Sequence, residues 1–546
     1  MRLVFKFRVK WLSALDYKMI SLIADYIGFD YDSKLHIYRL NPVKAAHVGL
    51  EKVVKILAKL NTYIPTEVIN RIKELEKIKP DVLIELSSSD LVIFSIDRNF
   101  IEYLKRRELI MWDKVSKTIR AKPKDLYIII KEAERYGLKV KLDFELNYEL
   151  SFIPKLRVEL RDYQKEALKK WEENSYRGVI VLPVAAGKTI IALKAIEKLK
   201  VRTLILVPTL DLMNQWKDNA IEKLGIPVNS VGLFGGGRKE IKEITIMTYD
   251  SAYVNLDNYP TYFGLIIADE CHHAVSQSYR RALEVVTAPY RLGLTATPFR
   301  SDGLHKYYES IIGPIIYSLA PEELQEMGYL AKHIERRVYV KLSEEEYNEY
   351  NKLMEKYLEY CRKKIPHIKD PRLRFKEILK LAARDPEARE ALRAKNRARQ
   401  IALSTEKKLE IVEKLLKKYR DEKVLIFSRY TDIVREISKR FLIPRILYDT
   451  PKDERKLYLK LFREGKIRVL ATAMALDEGV DVPDASMAIV ISGTGSHREY
   501  VQRLGRILRP KKKEALLIEI ITKRTIEPSL AKRRRKPQLF LEEDVS

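Results

Sequence analysis

Only two cysteines, Cys271 and Cys361, occur in 546 residues. That excludes a disulfide framework and a four-cysteine zinc site, and it fits a reducing, intracellular setting. Nor is there a run of about eighteen apolar residues, the least that crosses a bilayer as a helix. The opening stretch MRLVFKFRVKWLSALDYK mixes charge with apolar residues and lacks the apolar centre of a secretory signal. The chain is therefore expected inside the cell, with no membrane partner. Methionine is also sparse, at nine residues, whereas charged residues reach 33% and tyrosine 31 copies. That balance is the one expected of a thermophilic source.

What is present in excess is positive charge. The formal net charge is +27, and a surface so basic is suited to a polyanion, because Lys and Arg release counterions from phosphates. The length exceeds a single hydrophobic core and implies about three or four domains. Residues 1–155 read as a mixed α+β domain: VLIELSSSDLVIFSI (82–96) predicts two strands around a polar turn, and NPVKAAHVGLEKVVKILAKL (41–60) has helical spacing. From 156 to 340, short apolar runs alternate with helices: GVIVLPV, TLILVP, EITIMT, GLIIADE and RLGLTAT. Continuous rather than alternating runs predict strands buried on both faces, hence an α/β doubly wound parallel sheet. Residues 341–403 carry helical patterns alone, and ALRAKNRARQIAL (391–403) sets Arg393, Lys395, Arg397 and Arg399 along one helix, as a solvated or a nucleic-acid face. The β/α alternation returns over 404–522 with KVLIFS, RVLATA, MAIVIS and EALLIEI, a second sheet of similar size. The stretch 523–546, with KRRRK (532–536) followed by acids, is expected to be a disordered tail.

Three clusters carry chemistry. LPVAAGKT (182–189) lies between a strand and a helix, the context a phosphate loop requires. Backbone amides from Gly187 onward would face phosphate at the helix start. Lys188 would reach the β- and γ-phosphates and Thr189 would hold Mg²⁺. The first glycine of the usual pattern is replaced by Leu182, and Ala185 stands where glycine is common. Alanine suits that position if its φ is negative. GLIIADECHHA (264–274) ends an apolar strand in Asp269, expected to hold Mg²⁺, and Glu270, expected to orient or deprotonate water. Cys271, His272 and His273 do not read as zinc ligands, since no third and fourth ligand has metal spacing. YVQRLGRILRP (500–510) sets Arg503, Arg506 and Arg509 on one helical face, where Arg506 and Arg509 could neutralise a transferred phosphoryl group.

Together these residues resemble a superfamily-2 helicase, over about 156–522. LRDYQKEAL (160–168) matches the segment ahead of the phosphate loop, where the resemblance gives Gln164 an adenine contact. TAT, with Thr295 and Thr297, would couple hydrolysis to motion. VPTLDLMNQW (207–216) and TYDS (248–251) resemble strand-contacting motifs of the first lobe; FSRYTD (427–432) and ATAMALDEGVDVP (471–483) resemble those of the second. Asp-Glu-Cys-His, Thr-Ala-Thr and Gln-Arg-Leu-Gly-Arg differ from the DEAD-box set. The run GLTATPFRSDGLHKYYESIIGPIIYSLAPEELQEMGYLAKH is similar to the XPB family of DNA-repair and transcription helicases. That family carries Arg-Glu-Asp after Thr-Ala-Thr, which helps open the duplex; here Arg300, Ser301 and Asp302 stand there, without the middle acid.

The resemblance implies two RecA-like lobes with ATP and Mg²⁺ between them, a thumb over 341–403 and a damage-recognition domain at the N-terminus. It implies an archaeal member that moves 3′ to 5′ on single-stranded, forked or duplex DNA, in some cases with a nuclease partner. Gln502 and His272 would bridge the lobes. Three other functions stay open: a translocase that does not separate strands, an RNA-directed motor, and a scaffold with a dead ATPase fold. Strand displacement separates the first and RNA against DNA stimulation the second. The third predicts losses at Lys188, Glu270 or the arginines, all of which are present.

Overall fold

The computed structural model describes residues 3–7, 14–87, 89–300, 302–330, 333–473, 485–492 and 515–535. The first parallel sheet forms where the apolar runs predict it. Its strands, in spatial order, are Arg238–Lys239, Val231–Gly235, Ile244–Thr248, Thr203–Val207, Leu265–Asp269, Tyr290–Thr295, Arg177–Val181 and Ile315–Ser318. All neighbours pair in parallel except the short Arg238–Lys239 edge. Apolar clusters cover both faces, one containing Trp171, Trp216 and Ile196, the other Phe263, Tyr249 and Val286. This two-sided burial explains why the strands have no polar alternation.

Register then decides where the chemistry sits. Asp269 pairs with Leu294, and Thr295 with Val181. The strand carrying the phosphate loop is first in sequence but lies beside the last long one. Three loops that are far apart in sequence therefore leave the same carboxyl edge side by side, as ligand-binding loops do at such crossovers.

The second sheet runs His333–Val340, Ala515–Thr522, Met487–Val490, Val424–Phe427, Val469–Thr472 and Arg445–Ile446, all parallel. Its outermost strand corrects one expectation. Residues 333–340 were assigned above to the first lobe, yet they pair along their whole length with Ala515–Thr522. HIERRVYV is mostly exposed, as an edge strand can be, so it shows no continuous apolar run.

Helices Glu344–Lys364, Pro371–Leu381 and Pro386–Ser404 fill the stretch between. Tyr350, Tyr357, Tyr360 and Cys361 are buried on the first, and Ala388, Ala391, Ala394, Ala398 and Ala402 on the third. Large rings on one helix lie against a row of methyls on the other, which lets the pair approach closely. The basic row on the third helix is partly used internally. The Lys395 ammonium lies 4.4 Å from the ring centres of both Tyr357 and Phe375, and Arg397 is 3.8 Å from Glu349. Burial lowers the Lys395 pKa.

The N-terminal region holds two sheets, an antiparallel one of three strands and a mixed one of five. The expected hairpin is Val82–Ser87 with Asp90–Ser95. The helical stretch 41–60 breaks at Gly49 into Pro42–Val48 and Leu50–Lys59. Val43, Ala46, Leu75, Leu83, Val92 and Phe94 form one cluster that packs helices Pro42–Val48 and Thr66–Ile78 against the five-stranded sheet.

The expected disordered tail is corrected too. Residues 523–546 include a helix, Glu527–Arg535, whose first residue is 1% exposed. Glu527 accepts from Lys408 Nζ at 2.7 Å with both oxygens and from the Thr522 amide at 2.7 Å; Lys408 also donates to the Ile491 carbonyl at 2.6 Å. The remainder, 536–546, lies outside the described residues. Breaking a buried pair strands a charge and costs about 3–5 kcal/mol, whereas replacing both partners by apolar residues of similar volume is close to neutral. Glu527→Gln is therefore expected to lower the unfolding midpoint of the second lobe, and Lys408→Met with Glu527→Met to recover most of it, measured by calorimetry.

Candidate active site: a phosphate loop and its buried acid

The loop leaves the strand at Leu182, whose amide donates to the Thr295 carbonyl at 3.0 Å and whose side chain is fully buried. Leu182 has no positive φ and its side chain joins the core, so the position needs no glycine. The turn follows at Pro183–Ala186, closed by the Ala186 amide on the Pro183 carbonyl at 3.3 Å. Ala185 has φ of 68°. The condition under which alanine suits this position is therefore not met: Ala185 takes the third position of a type II turn, where glycine is favoured. Gly187 follows with φ of 75° and starts helix Lys188–Leu199 without a side-chain cap. A Cβ there would lie 2.6 Å from Gln164 Nε2.

Gln164 thus braces the loop. Its Nε2 donates to the carbonyls of Ala186 at 3.2 Å and Gly187 at 3.4 Å, and its Oε1 accepts from the Arg161 amide at 3.0 Å. Tyr163 adds a hydroxyl bond to the Ala186 carbonyl at 2.7 Å. An adenine contact by Gln164 would use the amide's remaining lone pair. Lys188 Nζ donates to the carbonyls of Leu182 and Pro183, at 3.1 and 3.2 Å.

Asp269 ends its strand 8% exposed. Burial pushes its pKa above the usual carboxylate range. The Trp216 hydrogen bond, the Lys188 charge and the Glu270 amide oppose that shift. Oδ2 accepts from Trp216 Nε1 at 2.8 Å and Oδ1 from the Glu270 amide at 3.0 Å. The Asp269 carboxylate and the hydroxyl of Thr189, in the first turn of the loop helix, are the kind of oxygen donors that would hold Mg²⁺. A buried carboxylate facing a lysine and a phosphate loop fits that ion.

Glu270 has φ of 47°, a left-handed turn that ends the strand and redirects the chain. Its Oε2 lies 3.5 Å from His272 Nδ1. The same nitrogen lies 3.1 Å from Thr295 Oγ1, and that oxygen accepts from the Thr297 amide at 3.1 Å. Arg300 returns to the acid segment, donating from Nη1 to the His272 carbonyl at 2.6 Å. It also grips Asp302 with two bonds, at 3.0 and 2.7 Å. These bonds hold the Asp302 pKa down at about 2, so the pair is charged across the working range of most proteins. Glu270, His272, Thr295, Thr297, Arg300 and Asp302 therefore form one connected set. Of the other expected site residues, Gln502, Arg503, Arg506 and Arg509 lie outside the described residues, as does Ser301.

Sequence reasoning missed Tyr163, Trp216 and Arg291. Arg291 is fully buried and donates to the carbonyls of Leu283, Val286, Ala288 and Ile311, fastening the loops beneath the site. Its only signal was an arginine opening an apolar strand. Trp216 closes the segment 207–216, whose resemblance to a strand-contacting motif gives its indole no role toward the acid.

Fold and site define a class: a two-sheet phosphate-loop motor. The family model "Type III restriction enzyme, res subunit" matches residues 157–300, and "Helicase conserved C-terminal domain" matches 407–511. A DNA 3′-5′ translocase XPB2 of Sulfurisphaera tokodaii is 44% identical over 74% of this chain and 92% of its own length. A DNA 3′-5′ helicase XPB of Mycobacterium tuberculosis is 27% identical over 92% and 88%. A putative DNA 3′-5′ helicase Rad25 of Haloarcula marismortui is 31% identical over 73% and 58%. The helicase domain of Pyrococcus furiosus Hef matches 70% of the chain and all of its own length, at 20% identity and a TM-score of 0.48. The chain belongs to the XPB family of superfamily-2 helicases.

The strained alanine gives a direct test. A left-handed alanine costs about 1–2 kcal/mol, which glycine avoids at some cost in unfolded-state entropy. Ala185→Gly is expected to stabilise the first lobe by up to about 1 kcal/mol, roughly 2–4 °C in its midpoint by calorimetry. A fall in the midpoint would mean that the Ala185 methyl contributes more by packing than its φ costs.

Proposed function

We propose that this protein is an ATP-driven motor that moves 3′ to 5′ along DNA and opens the duplex in repair or transcription. The observation that carries the reading is the shared carboxyl edge on which the phosphate loop, Asp269–Glu270 and Thr295–Thr297 meet. The names of the XPB relatives supply DNA as the track and 3′ to 5′ as the direction. The net charge of +27 suits a phosphate backbone. The protein works inside the cell, on single-stranded, forked or duplex DNA, and a nuclease is the partner class.

The residues divide the work. Lys188 neutralises the β- and γ-phosphates of ATP, with the amides from Gly187 onward beside it. Thr189 and Asp269 would hold Mg²⁺, whose charge stabilises the transferred phosphoryl group when bound. Glu270 orients the attacking water and takes its proton. Arg506 and Arg509 approach from the second lobe and complete the charge balance only on closure, which ties hydrolysis to domain motion. Gln502 and His272 join the lobes across that cleft, and Gln164 borders the adenine. Helices starting at Leu210 and Tyr249, capped by Thr209 and Thr248, present their N-termini to DNA phosphates. Such contacts hold the strand without reading its sequence.

A second reading is favoured by one name. The Sulfurisphaera relative is called a translocase rather than a helicase, and movement along duplex without strand separation would use the same residues. The test is ATP hydrolysis with single-stranded, duplex or forked DNA, with RNA, and with nothing, beside strand displacement on the fork. DNA is expected to stimulate hydrolysis at least tenfold, with Lys188→Ala abolishing it. DNA stimulation without displacement would favour the translocase. Stimulation chiefly by RNA would overturn the proposal.

A further inference from the structure

Two buried aromatic side chains tie the acid of the motor to the segments that face DNA. Trp216 is 2% exposed and donates its indole N–H to Asp269 Oδ2 at 2.8 Å. Tyr249 is also 2% exposed and donates its hydroxyl to the Asp269 carbonyl at 2.9 Å. Each belongs to one of the segments proposed to contact the strand: Trp216 closes 207–216, on helix Leu210–Leu224, and Tyr249 lies in 248–251. The same residue, Asp269, receives both bonds.

Satisfying a buried N–H would not by itself require a carboxylate. Trp171, the other fully buried tryptophan among the described residues, uses a backbone carbonyl, that of Arg291 at 2.9 Å. Trp216 instead spends its bond on the acid. With Oδ1 held by the Glu270 amide, both oxygens of Asp269 are fixed in direction, each with a lone pair left over. The helix carrying Trp216 also reaches the second lobe. Asp211, in its first turn, lies 3.6 Å from Arg455 Nη1. From Asp211 to Trp216 the helix rises about 7.5 Å. A tilt of its N-terminus, by DNA or by the second lobe, would therefore move the indole that holds the Asp269 carboxylate.

We infer that Trp216 is a positioning residue that sets the Asp269 carboxylate for Mg²⁺ and couples it to nucleic-acid engagement, with Tyr249 as a second tie on the same residue. The inference rests on the proposed roles of Asp269 in Mg²⁺ binding and of the 207–216 and 248–251 segments in strand contact. Partners that orient a metal ligand are worth about 10–100-fold in metal affinity. Coupling between sites is also reciprocal: DNA changes nucleotide affinity by the same factor that nucleotide changes DNA affinity.

The experiment uses the full chain and a fluorescent ADP analogue, read by anisotropy rather than turnover. Binding is measured in Mg²⁺ and in EDTA, with and without a single-stranded DNA. Trp216→Phe keeps the ring and removes the donor. It is expected to lose about tenfold or more of the Mg²⁺-dependent affinity and to bring the DNA-induced change in affinity close to one. Binding in EDTA should stay as in the wild type. Trp216→His, which restores a ring N–H, should recover part of both effects. Tyr249→Phe, which removes only a hydroxyl, should reduce the DNA-induced change and covers the case of Trp216→Phe failing to fold. Wild-type Mg²⁺ dependence and DNA coupling in both Phe variants would overturn the inference and leave the proposed function intact. A wild-type chain that shows neither Mg²⁺ dependence nor DNA coupling would overturn the underlying roles as well.

Discussion

The structure depends on keeping one carboxylate in place while it is largely withdrawn from water. Burial alone would drive Asp269 toward its neutral form. An indole N–H, a backbone amide and a nearby lysine charge act against this. Each donor comes from a different part of the first lobe: Trp216 from the helix after the second long strand, Glu270 from the next residue, Lys188 from the phosphate loop. The sheet must therefore place those elements correctly before the acid is usable. Parallel pairing does so, since Val181, Thr295 and Asp269 end on adjacent strands. The continuous apolar strands contribute core packing and, through register, the geometry of the site.

From that residue the connections run outward. Glu270 and His272 meet, His272 meets Thr295, Thr295 caps the turn at Thr297, and Arg300 binds back to the His272 carbonyl. The ring closes over about 30 residues of sequence and contains both Glu270 and Arg300. One of its backbone conformations is costly, the left-handed Glu270, and Ala185 in the neighbouring phosphate loop is left-handed as well. Strain of this kind persists only where surrounding contacts over-determine it, and it gathers at sites with a mechanical task. The second lobe holds its parts together by a different device. Lys408 and Glu527 bury an ion pair that fastens the last helix, while Tyr350 and Thr522 tie that end of the lobe to the thumb-like helices.

Much of this was legible because the strands most buried are the ones with the plainest pattern. GLIIADE and RLGLTAT became Leu265–Asp269 and Tyr290–Thr295, and the acids and threonines followed from their positions at the strand ends. The strands without that pattern were hidden. VGLFG has two glycines and HIERRVYV lies at an exposed edge, so neither shows a long apolar run. The terminal helix was masked by its charge, since Glu527 reads as solvated until Lys408 is placed against it. At the site, residue types that do chemistry were found from spacing, whereas residues that hold them were not. Trp216 and Arg291 look like a core ring and a surface cation in sequence. Only the fold shows that one bonds an acid and the other fastens four carbonyls. Alanine at position 185 suits a negative φ, but the turn between Pro183 and Ala186 is of the type that takes a positive one.

The proposed motor joins hydrolysis to movement, and we propose that the contact between His272 and Thr295, at 3.1 Å, is where the two meet. The most direct measurement is the number of ATP molecules hydrolysed per nucleotide advanced, on a DNA track with a reporter at its end. Thr295→Ala removes the hydroxyl and leaves the phosphate loop, Asp269 and Glu270 in place. The account predicts that the variant still hydrolyses ATP in the presence of DNA but spends at least severalfold more per nucleotide advanced. An unchanged ratio, with hydrolysis and movement falling in step or not at all, would contradict it.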